Sequence, residues 1–257
     1  MAFPAPAAIP APVLGWLVSA EGLGELHPAL APTPVRRPPA QRDPTPGQVA
    51  ELLTVLGWRD RHGRLEREVA ASLAALCRPT DERYGLISHG DATIRVLTAR
   101  IGKDAVLAVH TPDDVVGLST IPAGRLTERI VAQIPHLPAA KGNALSISPA
   151  EVRSVDRHGR QRTATGLLRK ASSQTRQAKQ LLGQPRTGGG ELWAAARDRA
   201  GTRHVSTQSV RYADLDCGRY LVTPSGESLI RLSPADRADL ITALNTTRRS
   251  LNRGSST

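Results

Sequence analysis

The chain has 257 residues, enough for one large domain or two small ones around a sizeable core. Hydrophobic residues make up 40% and charged residues 22%, a globular balance that excludes the disordered and fibrous classes. The net charge is +11, and 30 of the 34 cations are Arg; such a surface speaks of acidic partners, not of fold. Two cysteines, Cys77 and Cys217, stand 140 positions apart, which excludes a disulfide framework and a Cys-rich zinc site and reads as two buried thiols.

From the N-terminus, Met1 to Glu21 is apolar but has no basic start, and Pro4, Pro6, Pro10 and Pro12 interrupt any helix there. Val18-Ser19-Ala20 has the small-residue pattern of a cleavage site, yet the segment as a whole is a poor leader. No run of eighteen apolar residues occurs, so no membrane-spanning helix is expected, and the chain reads as soluble and cytoplasmic. Seven prolines between positions 28 and 46 make that stretch an extended strap.

A helix follows, with Thr45 as N-cap, Pro46 at its first position and Val49, Leu52, Leu53 and Leu56 at helical spacing up to Gly57. Asp60–Gly63 is a turn, and a second helix runs from Leu65 to Cys77. Four β-rich runs come next, at Tyr84–Ser88, Thr93–Ala99, Ala105–His110 and Val115–Ser119. The short turns between them predict an antiparallel meander. A helix is expected from Pro122 to Ile134, and another over 163–183, broken by Pro185 and Gly188–Gly190. Strands return at Leu192–Arg197, His204–Tyr212, Arg219–Thr223 and Ser228–Leu232. A last helix starts at Ser233-Pro234 and carries Leu240, Ile241, Leu244 and Leu251 on one face.

The two halves, about 1–150 and 151–257, echo each other. Pro122-Ala-Gly-Arg125 falls on Pro234-Ala-Asp-Arg237 at an offset of 112, and Val109 and Leu118 then fall on Leu221 and Ile230. Helix, antiparallel strands and Pro-started helix occur twice. The expected fold class is therefore α+β: one domain over 1–257 built as a quasi-two-fold duplicated unit, with a central antiparallel β-sheet flanked by α-helices.

Catalytic motifs are missing. There is no Gly-x-Ser-x-Gly elbow, Gly102-Lys103 lacks the rest of a phosphate loop, and Gly22-Leu23-Gly24 lacks the third glycine of a dinucleotide fingerprint. The seven histidines have no metal-ligand spacing; His62 and His158 sit in basic turns. Asp214 and Asp216, with Arg211 and Arg219 nearby, read as a solvated ion-pair edge. The expectation is a non-enzyme with no cofactor and no metal site. Charge is more informative: Val152 to Arg211 holds thirteen cations and three acids. A basic stripe of that kind can contact phosphates. The interval from Tyr84 to Trp193 contains no aromatic, which works against single-strand stacking. Nucleic-acid binding through 152–211 is the second reading, behind affinity for an acidic protein.

Several passages resemble the EspG family, the ESX (type VII) secretion-associated proteins of actinobacteria. They are Asp214-Leu-Asp-Cys-Gly-Arg-Tyr-Leu-Val-Thr-Pro224; Leu56-Gly-Trp-x-Asp60-x-x-Gly63, with Leu76-Cys-Arg-Pro79 closing the next helix; Glu25-Leu-His-Pro-x-Leu30; and the strand–Pro–helix order from Ala108 to Ile134. The resemblance spans nearly the whole chain, and its weight lies in the order of the motifs. It implies a cytosolic chaperone that binds the helical tip of the PPE subunit in a PE–PPE heterodimer and keeps it soluble for export. It further implies two contact regions. One is the turn between early strands, Ser88, His89, Gly90, Asp91 and Ala92. The other is the last helix, through Asp236, Arg237, Leu240, Ile241, Leu244 and Arg248. Gly218, Arg219 and Tyr220 read as a signature of the strand itself and not as a contact.

Overall fold

Prolines placed at the start of a helix cost nothing there, because the first amides of a helix have no intrahelical acceptor. That explains the first departure from expectation in this computed structural model. Ala7–Pro10 form strand β1, and Ala11–Ala20 form helix α1, with Pro12 in its first turn and Leu14, Leu17 and Val18 buried. The structure describes residues 3–33, 44–148, 150, 152, 160–162, 168–170, 172–225 and 229–253. Most of the strap, 34–43, lies outside them; its start makes a 3-10 turn at Pro28–Leu30. His158 also lies outside the described residues.

The chain forms two compact units. The first comprises Met1–Ile134, Leu192–Ser209 and Leu244–Thr257. Its centre is the meander β2 (Asp81–His89), β3 (Ala92–Ile101), β4 (Asp104–His110) and β5 (Val115–Thr120). The pairings are antiparallel throughout, and β1 adds to the outside of β5. Gly102, at φ +57°, opens the two-residue β3–β4 loop. Alternation along these strands sends Leu97, Ala99, Val106, Ala108 and Val116 to one face. There they meet α1, α2 (Pro46–Val55) and α3 (Arg67–Cys77).

Helix α2 starts as its sequence predicts. The Thr45 hydroxyl accepts from the Gln48 N–H, and the Gln48 side chain accepts from the Thr45 N–H, a reciprocal cap. The opposite face packs Ala105, Leu107 and Ile121 with Leu126, at the start of α4 (Leu126–Val131). That helix begins four residues later than expected, because Pro122–Arg125 close a turn through the Arg125 N–H and the Pro122 carbonyl.

The second unit comprises Pro135–Glu191 and Val210–Ala243. Its antiparallel strands are β11 (Val210–Leu215), β12 (Gly218–Pro224), β13 (Ile230–Pro234) and the short β6 (Leu145–Ile147). Helix α5 (Ser173–Leu182) covers them, burying Ala178 and Leu181 with Leu145, Leu215, Tyr220 and Leu232.

Three further expectations are corrected here. The helix over 163–183 is only its second half. Leu168–Lys170 form a strand, β8, paired with β7 (Arg160–Arg162) in a separate two-stranded ladder, and Ser172 caps the helix that follows by accepting from the Thr175 N–H. Arg169 and Lys170 therefore share no helix face with Arg176 and Lys179. Gly188–Gly190 do not break the chain but run inside strand β9 (Arg186–Arg197); a Cβ on Gly189 would stand 3.0 Å from the Tyr212 carbonyl. Finally, His204–Tyr212 is interrupted, with β10 (Arg203–Val205) pairing β9 before β11 begins.

Strand β9 starts in the second unit and ends in the first, and so does the last helix, α6 (Arg237–Arg253). The offset of 112 places Val109 and Leu221 in β4 and β12, and Leu118 and Ile230 in β5 and β13.

Candidate partner-binding surface

The two-residue loop Gly90-Asp91 joins β2 to β3, closed by the His89–Ala92 pair. Gly90 has φ +55° at the first loop position, where a type II′ turn needs a residue without Cβ. His89, Gly90, Asp91 and Ala92 are exposed and Ser88 is half-buried. The Ser88 hydroxyl bonds the Thr93 hydroxyl across the ladder at 2.8 Å. The tip is a short, backbone-rich knob on a rigid ladder. Two residues back, on the Ser88 side of the strand, Leu86 is 42% exposed. Sequence reasoning passed over it, although period-2 alternation aligns it with Ser88.

The helical half of the expected surface divides. Asp236 caps α6: its carboxylate accepts from the Ala238 and Asp239 N–H groups, and the Asp239 carboxylate accepts from the Asp236 N–H. These bonds, that with the Asp239 N–H foremost, hold the Asp236 carboxyl below its ordinary range. Asp236 and Arg237 are exposed and Ile241 is half-buried. Leu240 and Leu244 have no exposed surface at all, so these two expected contacts are core residues.

Arg248 is held by its own chain, with Nε 2.6 Å from Asp81 Oδ1. Asp81 also receives Arg83 at 2.8 Å and Arg100 at 3.4 Å. Burial alone would raise the Asp81 carboxyl, but Arg83 and Arg248 outweigh it and keep the pKa below the ordinary value. Asn245 accepts from the Thr127 hydroxyl at 2.7 Å. These bonds fasten the end of α6 to the first unit.

Gly218-Arg219-Tyr220 is an internal clamp. Gly218 has φ +122°, and a Cβ there would stand 2.6 Å from Ala140 Cα; only glycine lets that segment approach. The Arg219 N–H donates to the Pro138 carbonyl, while its own carbonyl accepts from Ala140 and Ala235. Its guanidinium is fully buried, forks onto Asp214 at 2.7 and 2.8 Å, and reaches the Pro135 carbonyl at 2.9 Å. Asp214 is thus a buried partner and not a solvated edge; Asp216 alone remains exposed. Tyr220 lies in the core of the second unit. The expectation of two buried thiols fails as well: Cys77 is buried, its thiol pushed up to about 11 by burial, whereas Cys217 is exposed in the β11–β12 turn.

A further polar cluster escaped the sequence reading. Buried Glu82 takes Arg203 Nε on one carboxylate oxygen at 2.6 Å, and its other oxygen lies 3.5 Å from His27 Nε2. His27 Nδ1 accepts from the Ala29 N–H, and its Nε2 lies 3.3 Å from Arg203 Nη2. Burial, reinforced by the Arg203 charge, lowers His27 to about 4; burial raises Glu82 against the pull of Arg203. Tyr84 packs edge-on against His27 and stacks on Trp193. Only Glu25-Leu26-His27-Pro28 hinted that this histidine was more than a loop residue. Among the described residues no three His, Cys, Asp or Glu side chains group to hold a metal, and no helix is long and apolar enough to cross a membrane.

The EspG family model matches residues 11–246. Among solved structures, the chain is similar to the type VII secretion system chaperone EspG5 of Mycobacterium tuberculosis, determined in complex with a PE25–PPE41 dimer. The TM-score is 0.67 at 16% identity, over 96% of this chain and 97% of that one, a likeness of fold. No curated protein matches.

Proposed function

Because this chain belongs to the EspG family, we propose that it is a cytoplasmic, non-catalytic chaperone of type VII secretion that binds the PPE subunit of a PE–PPE dimer. The observation that carries the reading is the full-length likeness to a chaperone seen with such a dimer bound. The contact region of this proposal is narrower than the sequence implied. It consists of the β2–β3 tip, Ser88 to Ala92, with exposed Leu86 beside it, and of Asp236, Arg237 and Ile241 on the exposed part of α6. Leu240 and Leu244 do not belong to it, and Arg248 acts by fixing the helix. Covering an apolar client tip needs a rigid surface with some apolar area and a polar rim; the hairpin supplies Leu86 and a ring of exposed backbone.

Co-expression of the full chain with PE–PPE pairs from its own genome, followed by size-exclusion chromatography, tests the function. The expected result is a stable ternary complex with one pair. Failure to form a complex with any of the pairs would overturn it. Leu86→Asp together with Asp91→Arg tests the surface separately: the affinity should fall about tenfold or more with the melting temperature held. Unchanged affinity would remove the hairpin from the interface while leaving the function standing.

A further inference from the structure

A row of opposed residues crosses the sheet of the first unit from its open surface to its core. Leu86 in β2 pairs with Arg95 in β3, Arg95 with His110 in β4, and His110 with Val116 in β5. Directly opposed residues of an antiparallel pair carry their side chains on one face. Along the row Leu86 is exposed, Arg95 half-buried, and His110 and Val116 buried. A buried histidine needs a polar partner, and Asp114 supplies one. Its Oδ1 lies 2.9 Å from His110 Nε2 and accepts from the Thr33 N–H at 2.9 Å. Asp114 stands in the loop after β4 at φ +61°, a conformation that glycine adopts without steric cost. An aspartate there accepts that cost and brings a carboxylate to both groups. Backbone outliers of this sort, held by their surroundings, point to function. The group they support is Arg95, whose Nη2 donates to the Thr33 hydroxyl at 3.1 Å and lies 3.2 Å from His110 Nε2. Its Nε and Nη1 make no hydrogen bond to a described residue and are not buried. Among the described residues Arg95 enters no ion pair.

We propose that Arg95 is the polar anchor of the partner-binding surface: it takes a carboxylate of the PPE subunit beside an apolar side chain seated on Leu86, and His110 and Asp114 are positioning residues behind it. The inference rests on the chaperone reading above and names the chemistry that the client presents. An arginine oriented in advance is effective at an interface, because ordering a long side chain on binding otherwise offsets the bond it makes. A guanidinium with open N–H groups beside an apolar contact selects a carboxylate, through a charge-assisted hydrogen bond. The element that brings it is a helix. Strand β3 is paired on both sides, by β2 and β4, so an added strand finds no backbone groups to bond, whereas a helix satisfies its own. Opposed residues on a ladder hold their Cβ atoms about 5 Å apart, which matches the about 5–6 Å between positions three or four apart on a helix. The surface therefore reads an Asp or Glu three or four positions from a large apolar residue on one helix.

The test uses the full chain and the PE–PPE pair of its own genome that forms the ternary complex, with affinity read by titration calorimetry. Arg95→Gln should weaken binding about tenfold or more and leave the remaining affinity less sensitive to salt, with the melting temperature held. Arg95→Lys should recover part of the loss. Asp114→Gly suits the backbone and removes the carboxylate. It should weaken binding about threefold or more in the parent chain and have no effect in the Arg95→Gln chain, a non-additivity that a purely structural role does not give. Arg95→Glu should abolish binding, and reversal to Lys of one PPE acid that fits the helix spacing should restore it. Unchanged affinity of Arg95→Gln overturns the proposal. So do an additive loss from Asp114→Gly, failure of every PPE reversal to restore Arg95→Glu, and an equal loss in Arg95→Gln and Arg95→Lys with lowered melting. In each of those cases the parent chain still binds its pair and the chaperone function stands. A parent chain that binds no pair is the failure of that function itself, read by chromatography before any variant is made.

Discussion

The residues that fix this fold are those whose chemistry leaves them no alternative. Gly218 is one: at φ +122° with Ala140 Cα lying 2.6 Å from where a Cβ would be, Gly218→Ala should cost about 2–4 kcal/mol in urea unfolding. Arg219→Met would strand a buried Asp214 carboxylate and should cost about 3–5 kcal/mol, part of which returns when Asp214→Leu is added. The two thiols separate by exposure alone. In the native protein a thiol reagent should titrate Cys217 only, and Cys77 should react only after unfolding. His27 gives the pH dependence. It is neutral in the fold down to about 4, against 6.5 unfolded, so between those values the unfolded chain takes up a proton that the native one refuses. Stability should therefore fall as pH drops from 6.5 to 4, by about 1.4 kcal/mol per unit from this group. Glu82, with its carboxyl raised in the fold, works in the opposite direction. The His27 share is accordingly read as the difference in melting curves between the parent and His27→Phe, which should flatten across that window.

At the scale of elements, caps and turns do what periodicity alone cannot. Asp236→Ala removes the carboxylate oxygen that accepts from two N–H groups in the first turn of α6 and should lower stability by about 1 kcal/mol, seen as a lower melting temperature. The elements legible from sequence were those whose signals agree. Thr45-Pro46 with the Val49–Leu56 spacing gave α2 nearly to the residue, and the glycine turns with alternating Val, Leu and Ala gave β2 to β5. The failures have physical causes. Prolines break a helix except in its first turn, and in α1 Pro12 occupies that turn. The helix expected over 163–183 starts too early because Ser172 caps a new helix at Ser173, after a strand at Leu168–Lys170. Gly188–Gly190 read as a break, yet a long strand can hold glycines where another backbone approaches closely. The candidate surface was half legible. The Gly90-Asp91 turn follows from its dipeptide, whereas sequence cannot say which side of an amphipathic helix the rest of the chain has already covered, and so Leu240 and Leu244 were misassigned. Asp214 and Arg219 looked like a surface pair because five residues of separation does not reveal that a hairpin closes between them with both side chains inward.

For the whole molecule, charge and connectivity set behaviour more than composition does. With net charge +11, encounter with an acidic partner should slow as salt rises; stopped-flow mixing at two ionic strengths would measure the effect. Connectivity has the longer reach. The first unit is assembled from three separated stretches of chain, the last of them beginning at Leu244, and its Asp81 cluster is completed by Arg248. A ribosome making this protein therefore adds 167 residues beyond Asp81 before Arg248, its partner from the last helix, exists. Until then Asp81 has Arg83 and Arg100 beside it but lacks Arg248, the partner that the last helix brings. Completion of the first unit thus comes late, and a deletion from Leu244 onward removes a piece of the unit that was begun first.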